Sequence, residues 1–183
     1  MITKWINTLK GWQTAKNKEG QAIPADLELT LLSGKKVQWS ELEGRVKLIV
    51  NTASLCGFTP QLKDLQKLSA DYGPKGLAVI GFPSNDFGKQ EPGDSEEIGK
   101  FCEAQFQVRF PLLQKDHVRG RNKQEVYKYL TVKSGSALSG EVLWNFEKFL
   151  IDKNNLPVAR ARSWVKPYDK RLINKIEELL AQT

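Results

Sequence analysis

Cysteine and histidine are scarce in this chain of 183 residues, which has two cysteines and one histidine. So few cysteines exclude a small fold held together by disulfide bonds, and a domain of this length can bury a core without them. Neither Cys56 nor Cys102 has a CxxC partner or a neighbouring histidine, so we expect no metal site and no cofactor. Sparse cysteine use is typical of a reducing, cytoplasmic location.

Long apolar stretches and runs of like charge are also missing. No window approaches the roughly 18 apolar residues of a membrane span, so none is expected. The chain has 28 basic and 21 acidic residues, a net charge of +7. The charge is dispersed, however, and no block of about five or six like charges predicts a nucleic-acid partner. The first residues lack the apolar core of a signal peptide, which also favours the cytoplasm.

Apolar periodicity predicts one α/β domain over residues 27–183, with an N-terminal extension over residues 1–26. The predicted strands cover residues 27–32, 36–39, 47–52, 77–82, 110–113, 141–151 and 156–162. The predicted helices cover residues 60–72, with Thr59 as the N-cap, and residues 95–105, 122–132 and 167–180. A weaker helical spacing joins Trp5, Ile6, Leu9 and Trp12. Early alternation of strands and helices, followed by a hairpin, predicts a mixed sheet flanked by helices.

Cys56 lies between a predicted buried strand and a predicted helix. The N-terminal end of a helix favours negative charge, and the thiolate is the reactive form of cysteine. Gly57 beside it would let a substrate approach the sulfur closely. Cysteine is also a common core residue, so this local pattern leaves a reactive role and a packing role both open.

Three segments of the chain together resemble the signature blocks of the glutathione peroxidase family. They are residues 51–60 (NTASLCGFTP), residues 81–93 (GFPSNDFGKQEPG) and residues 144–150 (WNFEKFL). Their order and separations match, and the resemblance covers about residues 27–180. It implies a thioredoxin-like fold and a thiol peroxidase that reduces hydrogen peroxide and organic or lipid hydroperoxides.

The resemblance also implies the roles of four residues. Cys56 would be the peroxidatic residue, with Gln90, Trp144 and Asn145 completing the family's catalytic tetrad. Amide and indole N–H groups suit these roles, because they can stabilise a thiolate and the oxygen that leaves the peroxide. Taken singly, the last three also fit a loop glutamine, a core aromatic residue and a polar residue at a strand edge. Trp144 and Asn145 would point to opposite faces of an ideal strand, so we expect a strand end or a bulge there.

Cys102 matches the resolving cysteine of the thioredoxin-dependent members. The resemblance implies that it forms a disulfide with oxidised Cys56, which thioredoxin or glutathione would then reduce. Its place beside Ile98 and Phe101 on an apolar helix face fits core packing as well. A buried Cys102 would have to be released by local unfolding before the disulfide could form.

Two positions depart from the family pattern. Ser84 stands where many relatives have cysteine, which leaves Cys102 as the one intramolecular partner. Asp86 stands where many have glutamine, and we expect its charge to point away from the sulfur. The short segment between residues 130 and 144 predicts a monomer, and His117 is expected to be an ordinary loop residue. A peroxide sensor that passes its oxidation to a partner protein remains the alternative function.

Overall fold

The computed structural model describes residues 11–15 and 19–182. Its strands are β1 (Trp12–Thr14), β2 (Glu28–Thr30), β3 (Lys36–Gln38), β4 (Val46–Thr52), β5 (Leu77–Pro83), β6 (Lys148–Ile151) and β7 (Pro157–Ala161). Its α-helices are α1 (Gln61–Tyr72), α2 (Ser95–Phe106), α3 (Glu125–Thr131) and α4 (Lys170–Ala181). Short 3₁₀ turns cover Trp39–Leu42 and Gly73–Lys75.

The main sheet has five strands in the order β1-β7-β6-β4-β5. β4 and β5 are parallel, whereas the β1–β7, β7–β6 and β6–β4 pairs are antiparallel. The predicted mixed sheet is therefore confirmed. β2 and β3, which correspond to the strands predicted over residues 27–32 and 36–39, form a separate antiparallel pair.

Helices cover both faces of this sheet. Every residue of β4 is buried, and its alternating side chains face two different hydrophobic clusters. Leu48 and Val50 pack on the side of α1, α2 and α4, whereas Ile49 packs on the side of α3. The domain is thus three layers thick, which fits the continuous apolar run of a central strand. Within the described ranges, no helix is long and apolar enough to cross a membrane.

The described part of the N-terminal segment joins the main sheet. β1 pairs with β7, and the Arg162 N–H donates to the Gly11 carbonyl over 2.8 Å. Trp12, which the helical spacing included, lies in this strand. Trp5, Ile6 and Leu9 lie outside the described residues.

Two predicted strands differ from the structure. The strand predicted over residues 141–151 begins only at Lys148, because the chain turns at Phe146 with a φ of 64°. Residues 110–113 form no strand; Leu112 and Leu113 make isolated bridges to Gly81 and Leu31. Each bridge is a single pair of residues with no paired residues next to it, so neither extends into a strand.

The helix boundaries also bring corrections. Helix α3 is shorter than the predicted 122–132. Thr59 does not cap α1: Pro60 occupies the N-cap position without a side-chain bond, because the Thr59 hydroxyl donates to the Ala53 carbonyl instead. Asp94 caps α2 in a reciprocal capping box with Glu97.

Candidate active site

Cys56 lies in a tight loop between the end of β4 and the start of α1. Thr59 closes this loop: its hydroxyl donates to the Ala53 carbonyl over 2.7 Å and accepts the Cys56 N–H at 3.0 Å. The Thr59 N–H also donates to the Cys56 carbonyl over 2.9 Å. The loop therefore fixes the backbone of Cys56 at the carboxyl end of the parallel strand pair, where open α/β sheets build their sites.

Cys56 has a free thiol, and the residue is 7% exposed. The Phe58 N–H donates to it over 3.4 Å, which stabilises negative charge on the sulfur. A Cβ added at Gly57 would meet no atom within 4 Å, so open space adjoins the thiol loop on this side. A small reactant can use that space.

Gln90 reaches the same edge of the sheet from the loop after β5. Its carbonyl accepts the Leu55 N–H at 3.0 Å, so its backbone is tied to the residue before Cys56. Its side-chain oxygen accepts a hydrogen bond from Asn145 Nδ2 at 2.9 Å. Because this bond occupies the oxygen, the amide N–H₂ is the group that Gln90 presents to a reactant.

Trp144 and Asn145 lie in a turn directly before β6, so the expected strand end is present. Asn51, the sixth residue of β4, holds this turn: its Nδ2 donates to the Trp144 carbonyl at 3.1 Å, and its Oδ1 accepts the Glu147 N–H at 3.0 Å. Phe146 adopts the left-handed conformation, with a φ of 64°, which lets the chain reverse here. The turn is thereby fixed to the strand that leads to Cys56.

The two side chains of this turn differ in exposure. Asn145 is fully buried, whereas Trp144 is 39% exposed. The indole of Trp144 leans on the buried ring of Phe87, with a centroid separation of 5.9 Å. Trp144 therefore combines a packed ring with an edge that remains open to solvent.

The structure thus brings Gln90 and Asn145 into direct contact and ties the backbones of Gln90 and Trp144 to the ends of the Cys56 segment. Within the described ranges, the Phe58 N–H is the one hydrogen-bond donor on the Cys56 sulfur. No hydrogen bond from the Gln90, Trp144 or Asn145 side chains reaches it. Gln90, Trp144 and Asn145 lie in loops at the edge of the sheet where the Cys56 loop also lies.

Cys102 lies on α2 with a free thiol that is 3% exposed. Burial raises its pKa to about 12, and the charge of Glu91 acts in the same direction. Cys56 and Cys102 border the same hydrophobic cluster, between the sheet and the helices α1, α2 and α4. The two thiols are therefore separate but face one core.

Asp86 and His117 form an ion pair that the sequence did not predict. His117 Nδ1 lies 2.6 Å from Asp86 Oδ1, and Asp86 Oδ2 accepts the N–H groups of Val118 and Arg119. Burial alone would raise the pKa of Asp86, but the bonds from His117 and these N–H groups lower it overall. The bond to Asp86 raises the pKa of His117. Asp86 is thus turned towards this neighbouring loop and fastens the loop of Gln90 to it.

The sequence did not predict the structural roles of three residues in the site, although all three lie inside the quoted blocks. Asn51 and Thr59 hold the two loops in place, and Glu91 is a buried carboxyl beside Gln90. The signal in the sequence was the polar side chains themselves, because such side chains can hydrogen-bond to the backbone of a loop. Among the described residues, no group of three or more His, Cys, Asp or Glu side chains is arranged to hold a metal ion.

The comparisons with known proteins agree with this geometry. The sequence profile of the glutathione peroxidase family matches residues 25–131. A glutathione peroxidase-like peroxiredoxin of Chlamydomonas reinhardtii is 46% identical over 154 residues, which cover 84% of this chain and 94% of that protein. A hydroperoxy fatty acid reductase of Synechocystis is 46% identical over 155 residues, covering 81% and 90%.

Solved structures support the same assignment. The crystal structure of Trgpx in its apo form is 34% identical, with a TM-score of 0.67 over 86% of this chain and 95% of that one. Thioredoxin-like structures of much lower identity share the fold. This chain therefore belongs to the glutathione peroxidase family and is a peroxidase with a thioredoxin-like fold.

Proposed function

We propose that Cys56 is the peroxidatic residue of this thiol peroxidase. Its thiolate attacks one oxygen of a hydroperoxide, the O–O bond breaks, and Cys56 becomes a sulfenic acid. The other oxygen leaves with its substituent and takes up a proton, to give water or an alcohol. Two observations support the proposal: the Phe58 N–H donates to the Cys56 sulfur, and open space adjoins the thiol loop at Gly57.

The amide of Gln90, the indole N–H of Trp144 and the amide of Asn145 would act on the peroxide. Asn145 orients Gln90 through its hydrogen bond, so the Gln90 N–H₂ is available to the leaving oxygen. Hydrogen-bond donors that are fixed before the reaction stabilise the developing charge without reorganisation at that moment. The absence of their bonds to the sulfur in the resting state fits a role that begins when a peroxide is bound.

Cys102 would resolve the sulfenic acid. Its sulfur attacks the Cys56 sulfur, the S–O bond breaks, and a disulfide and water are formed. Thioredoxin would then return both thiols by disulfide exchange, with glutathione as the second candidate reductant. The common core of Cys56 and Cys102 supports this pairing, and a reducing compartment such as the cytoplasm would supply the reductant.

The substrates would be hydrogen peroxide and organic or lipid hydroperoxides. Leu55 and Leu143 are exposed large apolar side chains beside Cys56 and Trp144 in the chain, and Trp144 is itself partly exposed. Apolar surface at this position would bind a hydrocarbon chain. The relative from Synechocystis, named a hydroperoxy fatty acid reductase, supports this substrate class. We further propose that the enzyme acts as a monomer.

A peroxide sensor is the second candidate, and the burial of Cys102 is the observation that favours it. A thiol with a pKa of about 12 is about one part in 10⁵ ionised at neutral pH, so resolution would be slow without help. A sulfenic acid that persists at Cys56 could instead react with the thiol of a partner protein.

Coupled turnover separates these functions. The experiment follows NADPH consumption through thioredoxin reductase and thioredoxin, with hydrogen peroxide or a fatty acid hydroperoxide, for the wild type, Cys56→Ser and Cys102→Ser. A parallel arm uses glutathione and its reductase. We expect turnover with thioredoxin that requires both cysteines. Turnover with glutathione that survives Cys102→Ser would reduce Cys102 to a packing role, and oxidation of Cys56 without turnover in either arm would favour the sensor.

A further inference from the structure

Lys148 is a buried lysine with no role in the chemistry described so far. It is the first residue of β6, it is 1% exposed, and it forms no ion pair with the residues that the structure describes. Its neighbour Glu147 points to the other face of the strand, where Arg160 and Arg162 bind the carboxylate. Burial lowers the pKa of Lys148 to about 7. An amine that the fold keeps in such an unfavourable place requires an explanation.

The amine of Lys148 folds back onto the turn that carries Trp144 and Asn145. Its Nζ donates to the Phe146 carbonyl over 2.7 Å. Within the described ranges, no other group donates to this carbonyl, and Phe146 is fully buried. A lysine keeps an N–H for this bond whether or not it is charged. Without the amine, the Phe146 carbonyl would be buried without a donor, which is unfavourable.

This bond completes the fixation of one peptide group. The N–H of the peptide between Phe146 and Glu147 donates to Asn51 Oδ1 at 3.0 Å, and its carbonyl accepts Lys148 Nζ. The N–H of Phe146 itself donates to the Asn51 carbonyl over 2.7 Å. Phe146 has a φ of 64°, a conformation that is disfavoured for a residue with a Cβ. Asn51 and Lys148 therefore hold the left-handed residue from its two sides.

The conformation of Phe146 determines how the turn presents the two residues before it. Asn145 donates to the Gln90 side-chain oxygen at 2.9 Å, so a displaced turn would also change the orientation of Gln90. Trp144 is held in the same turn through its carbonyl, which accepts Asn51 Nδ2. A change at the Phe146 carbonyl can thus reach all three of the proposed donors to the peroxide.

We propose that Lys148 is a positioning residue of the peroxidase reaction, and that its amine holds the turn in the conformation that aims the N–H groups of Trp144 and Asn145 at the peroxide. The proposal rests on the donor roles proposed above. Lys148 does not touch the reactants in it, because it acts through the Phe146 carbonyl.

The test replaces the amine with an apolar group of similar length. Lys148→Met removes the donor and fills the same space, and replacing a buried charge in this way is commonly tolerated. Lys47→Met is the matched control. Lys47 is also fully buried, it pairs with Ile151 at the other end of β6, and its Nζ donates to Asn155 Oδ1 at 2.6 Å. Both variants therefore lose a buried amine of the same sheet, but only one of these amines contacts the turn.

Two measurements are made on each full-length variant. Stopped-flow mixing with hydrogen peroxide gives the rate at which Cys56 is oxidised. Fluorine NMR of protein grown with fluorotryptophan reports the surroundings of each indole, and the resonance of Trp144 is identified as the one that Trp144→Phe removes. The control has its own indicator, since Lys47 Nζ lies 6.0 Å from the ring centroid of Trp39.

We expect Lys148→Met to slow the oxidation of Cys56 about tenfold, within the roughly 100-fold that a misplacement of about 1 Å can cost. The resonance of Trp144 should shift or broaden in the same variant. Lys47→Met should react at the wild-type rate and leave the resonance of Trp144 in place, although the resonance of Trp39 moves. A role in stability alone would lower the urea midpoint of Lys148→Met without changing its reaction rate.

A wild-type oxidation rate in Lys148→Met, or an equal loss in Lys47→Met, would overturn the proposal. A slower reaction with an unchanged Trp144 resonance would also overturn it, because Lys148 would then act without moving the turn. If Lys148→Met does not fold, Lys148→Leu, which also lacks the amine and is smaller, is measured in its place. A displaced Trp144 resonance in Lys148→Met, together with a wild-type rate in Trp144→Phe, would instead contradict the donor role of Trp144 in the proposed function.

Discussion

Among single residues, Trp144 and Trp164 can be compared to test whether the indole N–H of Trp144 takes part in the reaction. The ring of Trp144 packs at a tilt against Phe87, and the residue is partly exposed to solvent. Trp164 is 54% exposed and follows β7 in the chain. We propose that the indole N–H of Trp144 donates to the peroxide, and we propose no such role for Trp164.

The substitution Trp144→Phe should therefore slow the reaction of Cys56 with hydrogen peroxide by about 100-fold, as loss of one transition-state donor does. The aromatic ring remains, so the urea midpoint should change little. The matched change Trp164→Phe should leave the rate unchanged. Stopped-flow measurement of peroxide consumption tests both variants, and equal losses in the two would contradict a donor role for Trp144.

The Asp86–His117 pair predicts a pH-dependent contribution to stability. The pKa of His117 is raised on folding, so its contribution is complete below its unfolded pKa and disappears as the pH rises through the folded value. The pKa of Asp86 is lowered, so its contribution disappears as the pH falls through its folded value. The pair therefore stabilises the fold most between these two pKa values.

The variant His117→Asn keeps a neutral N–H donor for Asp86 and removes the titratable charge. Because the imidazole is largely exposed, we expect a loss of only about 0.5 kcal/mol in the free energy of unfolding at pH 5.5 and almost none at pH 8.5. Urea unfolding at the two pH values measures the difference. An equal loss at both would show that the charge of His117 contributes nothing.

Much of the residue-level site could be predicted from the sequence. The blocks contain Cys56, Gln90, Trp144 and Asn145, although the last two fell within the strand predicted over residues 141–151. The bond between Gln90 and Asn145 could not be predicted, because it depends on how a loop after β5 and a turn before β6 meet in three dimensions. The bonds of Asp86 likewise depend on a loop that is distant in sequence.

Among the secondary-structure elements, α2 is the one that carries Cys102, the proposed partner of Cys56. Its N-terminus is held by the capping box of Asp94 and Glu97, and Cys102 is buried in its second half. On the proposed resolving role, the buried thiol would be released by local opening of α2, so the local stability of α2 would oppose resolution. The cap is the part of this helix that can be weakened without touching the core.

The substitution Asp94→Ala should lower the stability of α2 by about 1 kcal/mol. Local opening then becomes more frequent, and disulfide formation after one equivalent of peroxide should accelerate by up to about fivefold. Asp169→Ala removes the equivalent cap of α4, where the side chain accepts the Arg171 N–H. A similar acceleration in Asp169→Ala would mean that global rather than local opening releases Cys102.

The elements themselves were mostly predictable, since their periodicities are strong. The strand predicted over residues 141–151 began too early because residues 142–146 are mostly apolar, and the sequence contains no sign of the left-handed conformation at Phe146. Thr59 was assigned as a cap because its residue type suits one. The loop of Cys56 instead uses its hydroxyl, a tertiary demand that outweighs local preference.

At the scale of the whole molecule, a buried ionic network joins the active-site turn to β7. Glu147, two residues after Asn145, accepts bonds from Arg160 and Arg162, and all three are buried. Arg160 also donates to the carbonyls of Leu138, Gly140 and Glu141. The network therefore holds residues 138–141, which lead to the turn, against Arg160 of β7. No local sequence pattern predicts this long-range arrangement.

The substitution Glu147→Gln should lower the free energy of unfolding by about 3–5 kcal/mol, because it leaves two buried guanidinium groups without a counter-charge. Glu103→Gln, which breaks the exposed pair with Arg109, should cost less than about 1 kcal/mol. Urea denaturation followed by circular dichroism gives both values. A loss in Glu147→Gln as small as that in Glu103→Gln would mean that the network adds little to stability.

We propose that Cys56 and Cys102 form one redox couple, which the covalent state of the protein after one turnover can test. Reduced protein is given one equivalent of hydroperoxide, blocked with an alkylating reagent, digested without reductant and analysed by mass spectrometry. We expect one linked pair of peptides that joins Cys56 to Cys102, with the loss of two hydrogens and no alkylation of either thiol. Cys56 recovered in its alkylated form, or oxidised Cys56 beside a free Cys102, would contradict it.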